Sequence, residues 1–327
     1  MVRVMADGDR TLVNIPVPRF DWPSVGVVVA TADRPNLVRR ALAAVAAQDY
    51  PGPMRVVVVY DRTVPDWRLA KGGHRPVLVL ENWRAPGRAG ARNTGILAVG
   101  DCDLVAICDD HDVWAPDKLS AQVSALRRSP GAVLATCAYE IEYDGTRRAH
   151  RVGRSQVGLR HLVRRSRGGL RGSTFVAVQR IVASDAAHGG IGLLSEVAPP
   201  GGEEWDLLVR AARRAPIAHV DEPLVRVLWR PADLGPDACA DRVSAMAWVL
   251  GRHPALAGRR RDLADVASEI ACWAAAAGDR AEAGRWAGAA VRAAWWRPGA
   301  LLAAAATCGV LRGGALRRLL RRHLPAA

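Results

Sequence analysis

The stretch from Leu104 to Trp114 limits the possible folds more than any other part of this chain. Leu104-Val-Ala-Ile-Cys108 is an apolar run of strand length without a polar residue, so neither face of the strand is built to meet water. It runs directly into Asp109, Asp110, His111 and Asp112. In an open α/β sheet, a buried parallel strand delivers its C-terminal end to the crevice where ligands bind. Carboxylates crowded there repel one another unless a cation sits among them, and the simplest such cation is a divalent metal. A polar turn followed by a helix cap explains the same residues without any ligand, and on these residues alone the two readings stand level. Pro116 and Asp117 start a helix, with Trp114 on the connecting loop as a wall of the site.

The preceding chain alternates strands and helices, the pattern of a doubly wound sheet. Val25 to Ala30 is a continuous apolar strand, followed by Thr31-Ala-Asp-Arg-Pro35 and an amphipathic helix to about Ala47. A second strand, Arg55 to Tyr60, ends at Asp61, where a carboxylate can accept hydrogen bonds from a base or ribose; a plain strand-end turn fits equally well. After a third strand at Val77 to Leu80, Gly87-Arg-Ala-Gly-Ala-Arg-Asn-Thr-Gly95 opens a helix whose small residues permit close packing. Arg88 and Arg92 put positive charge near a bound diphosphate, or else face water.

Beyond the acidic loop, Ala132 to Tyr143 reads as a strand, with Asp144-Gly145 turning a hairpin. The arginine-dense stretch Arg147 to Arg171 reads as a solvated face, the alternative being a groove for an anionic or lipid-diphosphate acceptor. Ser173 to Val178 reads as a strand with Ser173 and Thr174 at its mouth. Pro199-Pro-Gly-Gly-Glu-Glu-Trp-Asp-Leu-Leu-Val-Arg210 brings Glu203, Glu204 and Asp206 to a helix N-terminus, where the macrodipole by itself favours acids. Ile217 to Val220 and Leu224 to Trp229 read as two short closing strands. From about Ala240 the composition turns to Ala, Arg and Trp with helical periodicity, and Ala276 to Ala287 resembles one tetratricopeptide-like helix pair. Trp248, Trp273, Trp286, Trp295 and Trp296 read as interhelix packing.

Composition narrows the function. A chain of 327 residues with 50% hydrophobic content suits one or two globular domains at roughly 150 residues each. The formal charge of +14 would suit nucleic acid, an anionic membrane or a phosphorylated substrate. Lys71 and Lys118 are the two lysines, and arginine is spread through helices and loops alike, which reads as codon bias. No aromatic and basic motif accompanies the charge, so nucleic acid is not expected as a partner. The six cysteines form no CxxC pair and sit in apolar contexts, as in a reduced cytoplasmic protein without structural zinc. Arg3, Asp7, Asp9 and Arg10 interrupt any signal-peptide core, and Ala300 to Leu311, the most apolar stretch, is too short to span a bilayer. Leu316, Leu319, Leu320 and Leu324 share one helix face, with Arg317, Arg318, Arg321 and Arg322 on the other. That pattern fits peripheral contact with an anionic membrane, on the inner face of the cell membrane, and equally a terminal helix docked on its own domain.

From Ser24 to about Arg230 the chain resembles the family 2 glycosyltransferases, here of an actinobacterial type with a helical C-terminal extension. The family's Asp-x-Asp motif, its following Trp and its Pro-Asp-Lys-Leu helix start match Asp109, Asp110 and His111, then Trp114, Pro116 and Lys118. Its Gly-x-x-x-Ala-Arg-Asn-x-Gly segment matches Gly87 to Gly95, and its Glu-Asp-x-Asp-Leu segment matches Glu203 to Leu207. The resemblance implies a GT-A fold: a Rossmann-like mixed, mainly parallel sheet flanked by helices over residues 24–234, after an N-terminal extension of 1–23 and before an α-helical region of 235–327. It implies donor contacts from Thr31, Arg34, Asp61, Arg88, Arg92, Asn93, Asp109 and Asp110. The metal would be held by Asp109, His111 and Asp112. Glu204 takes the general base's position with one extra methylene, ahead of Glu203 and Asp206 as further catalytic candidates; Glu203 would then face the loop, and Asp206 would bond Arg210 one turn on. Two departures stand out. The aromatic that often follows the first-loop Thr is Ala32, and His111 replaces an Asp, which favours manganese over magnesium. The family's closing His falls at Arg230. The implied reaction is metal-dependent, inverting transfer of a sugar from a nucleotide-diphosphate sugar to a hydroxyl of a cell-surface glycan, a lipid-linked or a small-molecule acceptor. A non-catalytic sugar-nucleotide or glycan-binding scaffold is the alternative, as is a nucleotidyltransferase, although the latter's phosphate-cradling loop after the first strand is missing.

Overall fold

Uninterrupted valine runs end up at the centre of a parallel sheet because a strand covered on both faces keeps no polar side. In the computed structural model, which describes residues 22–143, 145–164, 170–228 and 235–307, β1 (Val25–Thr31) lies between β2 (Met54–Tyr60) and β4 (Leu104–Asp109), parallel to both. Beyond β2 lies β3 (Val77–Glu81), also parallel. The other half of the sheet contains β5 (Asp112–Trp114), β6 (Leu134–Tyr143), β7 (Thr146–His150), β8 (Gln156–Val157), β9 (Val176–Val178) and β10 (Ile217–Leu228). The main path runs β3-β2-β1-β4-β9-β6-β10-β5, with β7 on β6 and β8 on β10. Antiparallel β9 bridges β4 and β6, so the sheet is mixed while its β3-β2-β1-β4 half is wholly parallel. This is the GT-A arrangement that the motifs imply.

The period of two is visible in the core. Val25, Val27 and Val29 of β1, with Val56 and Val58 of β2 and Leu104 and Ala106 of β4, pack under α1 (Pro35–Ala46) and α3 (Lys118–Arg127). Their alternates Val28, Val57, Val59, Val105 and Ile107 face α2 (Arg88–Ala98) and α6 (Gly202–Arg214). Two glycines bring α2 close to β1: a Cβ on Gly95 would meet Val28 Cγ1 at 2.3 Å, and one on Gly26 would meet Val99 Cβ at 2.4 Å. Short helices α4 (Leu159–Arg164) and α5 (Gln179–Ala183) lie between the sheet's later strands.

Three local readings are corrected. The two closing strands are one strand, β10, which stays paired with β6 by bulging between Val220 and Val225, where Pro223 has no amide to give. Ser173 and Thr174 lie in a 3-10 turn (Gly172–Thr174), and the strand begins only at Val176. Trp114 is on β5, paired with Val225 and 3% exposed, so it is a core residue and not a wall. The hairpin after β6 is present, with Tyr143 opposite Thr146, and β7 is largely exposed as the arginine density implied.

Helices α7 (Pro236–Arg252), α8 (Arg260–Ala277), α9 (Arg280–Ala294) and α10 (Pro298–Thr307) follow. Their apolar faces join the α6 side of the sheet in one continuous cluster, through Met246, Val249, Ile270 and Trp273. Trp273 is buried and Trp248 and Trp286 pack against that cluster, whereas Trp295 and Trp296 are exposed, which corrects their assignment to packing. Cys102, Cys108, Cys137, Cys239 and Cys272 form no disulfide among the described residues. No helix among the described residues is long and apolar enough to cross a membrane. The amphipathic pattern at Leu316 to Leu324, Arg230 and Cys308 lie outside the described residues.

Because α2 touches β1 through bare glycine, Gly95→Ala should destabilise the fold by about 1–3 kcal/mol through overpacking, read as a lower denaturant midpoint at unchanged slope.

Candidate active site

Parallel pairing brings the C-terminal ends of β1, β2 and β4 to one edge, with Thr31 opposite Tyr60 and Ala30 opposite Asp109. The loops leaving β1 and β2 hold Asp33 (φ 48°) and Arg62 (φ 53°), the two non-glycine residues with positive φ among the described residues. Strained backbone of this kind persists where the surroundings over-determine it, and both instances flank this edge.

The four-residue acidic run folds as strand, turn and strand. β4 ends at Asp109, the chain turns through Asp110 and His111, and β5 starts at Asp112. One ligand atom each from Asp109, His111 and Asp112 therefore falls within 4.8 Å of the others. The donor set fits a divalent ion: two carboxylates and an imidazole suit a borderline metal, and the buried Oδ1 of Asp112 accepts no hydrogen bond. Burial, with Asp109 nearby, pushes the Asp112 carboxyl up to about 7. Burial also opposes charge on His111, but its bond to Asp110 and the neighbouring carboxylates raise it above its ordinary value.

Asp110 turns the other way. It is 2% exposed and takes hydrogen bonds from Thr31 Oγ1 (2.7 Å) and Arg34 Nη1 (3.1 Å), with His111 Nδ1 at 3.1 Å. The first loop and the acidic turn are thus locked together. At β2's end, Asp61 accepts from Asn82 Nδ2 (2.8 Å) and the Gly87 amide (2.9 Å), which fixes the loop leading into α2.

Arg92 is the largest departure from expectation. It was placed near a diphosphate, yet its side chain is wholly buried. Nη2 donates to Asp109 Oδ1, Nη1 donates to Glu204 Oε1 at 2.9 Å, and Nη1 lies 3.6 Å from Glu203 Oε1. Burial opposes charge on Asp109, but Arg92, aided by His111 and Arg88, outweighs it and holds the carboxyl well below the usual range. The exposed arginine here is Arg88, whose Nε is 3.2 Å from Glu203 Oε1. Glu203 therefore points at these arginines and not at the loop as the sequence suggested. Glu204 is also held at Oε2, by the Gly172 amide at 3.1 Å, and a Cβ on Gly172 would come within 2.7 Å of Glu204 Oε1.

Two candidates are structural. Asn93 is buried and spends both ends of its amide on the loop ahead of α6: Nδ2 donates to Leu194 O and Glu196 Oε1, and Oδ1 accepts from Leu194 N. Asp206 is fully buried, accepting from Arg210 Nε (2.8 Å) as its spacing implied, and from Arg252 Nε (3.0 Å), with His253 Nε2 at 2.7 Å. It belongs to the joint between α6 and α7, away from the carboxylates around Arg92. Burial opposes its charge, but His253 and the two arginines prevail and keep its carboxyl below the ordinary range.

Ser173 and Gly172 join the site without having been picked out as site residues. Ser173 Oγ accepts from the Asp109 amide (3.3 Å) and from Trp114 Nε1 (3.2 Å), while its hydroxyl bonds Asp112. Lys118 Nζ sits 3.7 Å from the Trp114 ring centroid and braces it from behind. The sequence signal was only a Gly-Ser pair after an arginine-dense segment, and the contacts that matter are more than 30 residues away in the chain.

Residues 26–182 match the model of the family described as Glycosyl transferase family 2. The chain carries a family 2 glycosyltransferase domain. Among solved structures, this glycosyltransferase is similar to S. aureus TarS 1-349 in complex with UDP-GlcNAc (12% identity, TM-score 0.57, covering 91% of this chain and 92% of that one). It is also similar to the mannosyltransferase PcManGT from Pyrobaculum calidifontis in complex with GDP-Man and Mn2+ (17% identity, TM-score 0.53, covering 93% and 85%). At these identities the likeness is one of fold. No curated protein matches the glycosyltransferase in sequence.

Removing the Arg92 charge leaves Asp109, Glu203 and Glu204 buried together, so Arg92→Met should lose about 3–5 kcal/mol at neutral pH. Asp109 has a depressed folded pKa, so its contribution is complete above the ordinary carboxylate value near 4 and is lost only as pH falls below that. In the variant that contribution is gone, and the deficit should shrink as the pH drops through the carboxylate range. Thermal melts of both proteins at pH 7 and at about pH 2.5, below the ordinary carboxylate value, check the sign.

Proposed function

We propose that this glycosyltransferase moves a sugar from a nucleoside-diphosphate sugar to an acceptor hydroxyl with inversion at the anomeric carbon. The observation that carries the reading is the bridge of Arg92 between Asp109 on β4 and Glu204 on α6, which sets a metal-type ligand group beside a carboxylate base. The nucleotide sugars held by the two structural neighbours support the donor class. Thr31, Arg34 and Asp61 border the nucleotide, and Arg88 supplies positive charge for the diphosphate.

Glu204 is the base in this reading. Arg92 Nη1 donates to its Oε1 and the Gly172 amide to its Oε2, which fixes the carboxylate that in this reading takes the acceptor's proton. As that proton moves to Glu204, the acceptor oxygen forms its bond to the anomeric carbon and the bond to the diphosphate breaks on the opposite face. A divalent ion held by Asp109, His111 and Asp112 would neutralise charge on the departing diphosphate. Arg92 and the Gly172 amide orient Glu204 beforehand.

Incubation with a labelled nucleotide sugar tests the class. Transfer, or slow hydrolysis of the donor, supports it; release of pyrophosphate would mark a nucleotidyltransferase, and binding without turnover a scaffold. Glu204→Gln should lower turnover by about a hundred- to ten-thousand-fold while leaving donor affinity unchanged, and Glu204→Asp should retain part of it. Near-normal Glu204→Gln beside a dead Glu203→Gln would move the base by one residue.

The imidazole ligand should make manganese a better support than magnesium for donor binding, measured calorimetrically in the absence of acceptor. His111→Asp should narrow the gap, and full donor affinity in excess chelator would remove the metal from the scheme.

A further inference from the structure

The helical end of the molecule carries a surface that the transferase reaction does not use. Helices α8 and α9 form an antiparallel hairpin turned at Gly278 and Asp279, so the start of α8 and the end of α9 lie together. Ala264 packs on Ala293 and Ala294 there, and Arg297 Nε and Nη2 clasp Asp265 at 2.7–2.9 Å. Beyond this packed end, Trp295 is 65% exposed and Trp296 53%, their rings edge to face at 6.1 Å. Leu301, on the first turn of α10, adds a third apolar side chain at 58% exposure. Helix α10 contains no charged residue, and Ala300, Ala303 and Ala306 already fill its inward face.

Around these aromatics the charge has one sign. Arg259, Arg260 and Arg261 at the start of α8 and Arg292 in the last turn of α9 are exposed. Of the acids at this end, Asp265 is neutralised by Arg297, and Asp262 is half-buried at the first turn of α8. Two exposed tryptophans and a leucine at the helix end that also carries these exposed arginines match the chemistry of a bilayer interface, where indoles settle at headgroup depth and guanidinium groups meet anionic lipid. A protein partner of ordinary surface composition would leave four like charges unanswered.

We propose that this corner, Trp295, Trp296 and Leu301 with Arg259 to Arg261 and Arg292, seats the enzyme on an anionic membrane surface without insertion of a helix. The surface is independent of the donor site. It does not need the residues after 307, whose own amphipathic pattern raises a separate question.

Full-length protein sedimented with phosphatidylcholine vesicles, with and without phosphatidylglycerol, tests the proposal. The chain should partition onto the anionic vesicles and stay free of the neutral ones, with binding weakened by salt. Trp295→Ser with Trp296→Ser should reduce partitioning about tenfold or more. Replacing Arg259, Arg260 and Arg261 with Gln should reduce it roughly a hundredfold, at roughly fivefold per charge. Brominated lipid should quench tryptophan fluorescence in the wild type and much less in the aromatic variant. Unchanged melting and donor binding in both variants keep the result separate from folding and from the transfer reaction. Partitioning of both variants equal to wild type overturns the proposal, as does concentration-dependent dimerisation lost on Trp295→Ser without any vesicle binding.

Discussion

The buried guanidinium of Arg92 is the interaction on which the site depends. It lies among Asp109, Glu203 and Glu204, carboxylates contributed by a strand and by a helix more than 90 residues later. Without a cation between them, these acids could not be brought together in the interior, because each ionised group desolvated beside another raises the energy of both. The arginine is placed by α2, and α2 is placed by glycine contacts with β1. A steric fact about two glycines thus determines where the charges of the site can be.

Much of this was legible in the residues. The valine runs, the abrupt stop at Asp109 and the glycine-rich opening of α2 mark the parallel strands and the helix between them, because these signals are local and strongly periodic. What escaped was the partner of each polar side chain. Arg92 and Arg88 are one helical turn apart in the same motif, yet one is wholly buried and the other open, a difference set by the arrival of α6. Asn93 and Asp206 carry the look of site residues and serve instead as fasteners, since a buried amide or carboxylate with all its hydrogen bonds met is as useful in a joint as in a pocket. Ser173 was placed only at the mouth of a strand, for the converse reason. Its role comes from Trp114 and Asp112, which the fold brings to it from about 60 residues away.

The helical region is coupled to α6 by chemistry as well as by apolar packing. Asp206 follows the two glutamates on α6 and is held by Arg252 and His253 at the end of α7. The same carboxylate orients Arg210, which grips the carbonyls of Ile191, Gly192 and Leu193. That loop in turn receives Asn93 from α2 and Arg84 from the loop before it, at Leu194 and Glu196. A chain of satisfied polar contacts therefore leads from the C-terminal helices through the α6 approach loop to the loop that carries Asn82, beside Asp61.

The strand, turn and strand that hold Asp109, His111 and Asp112 are continuous in the chain, whereas Glu204 reaches them only across a separation of 112 residues from Arg92. The two halves of the site thus differ in the range of contact that creates them. A short turn closes at little cost in chain entropy, while a contact across a long stretch of chain must be held by the packing of the elements that carry it. The turn is not self-sufficient, however, because β5 pairs with β10, the strand that follows α6. Asp112 therefore keeps its place beside Asp109 only while the chain on both sides of α6 is folded, and loosening that later segment costs the acidic turn and the Glu204 contact together.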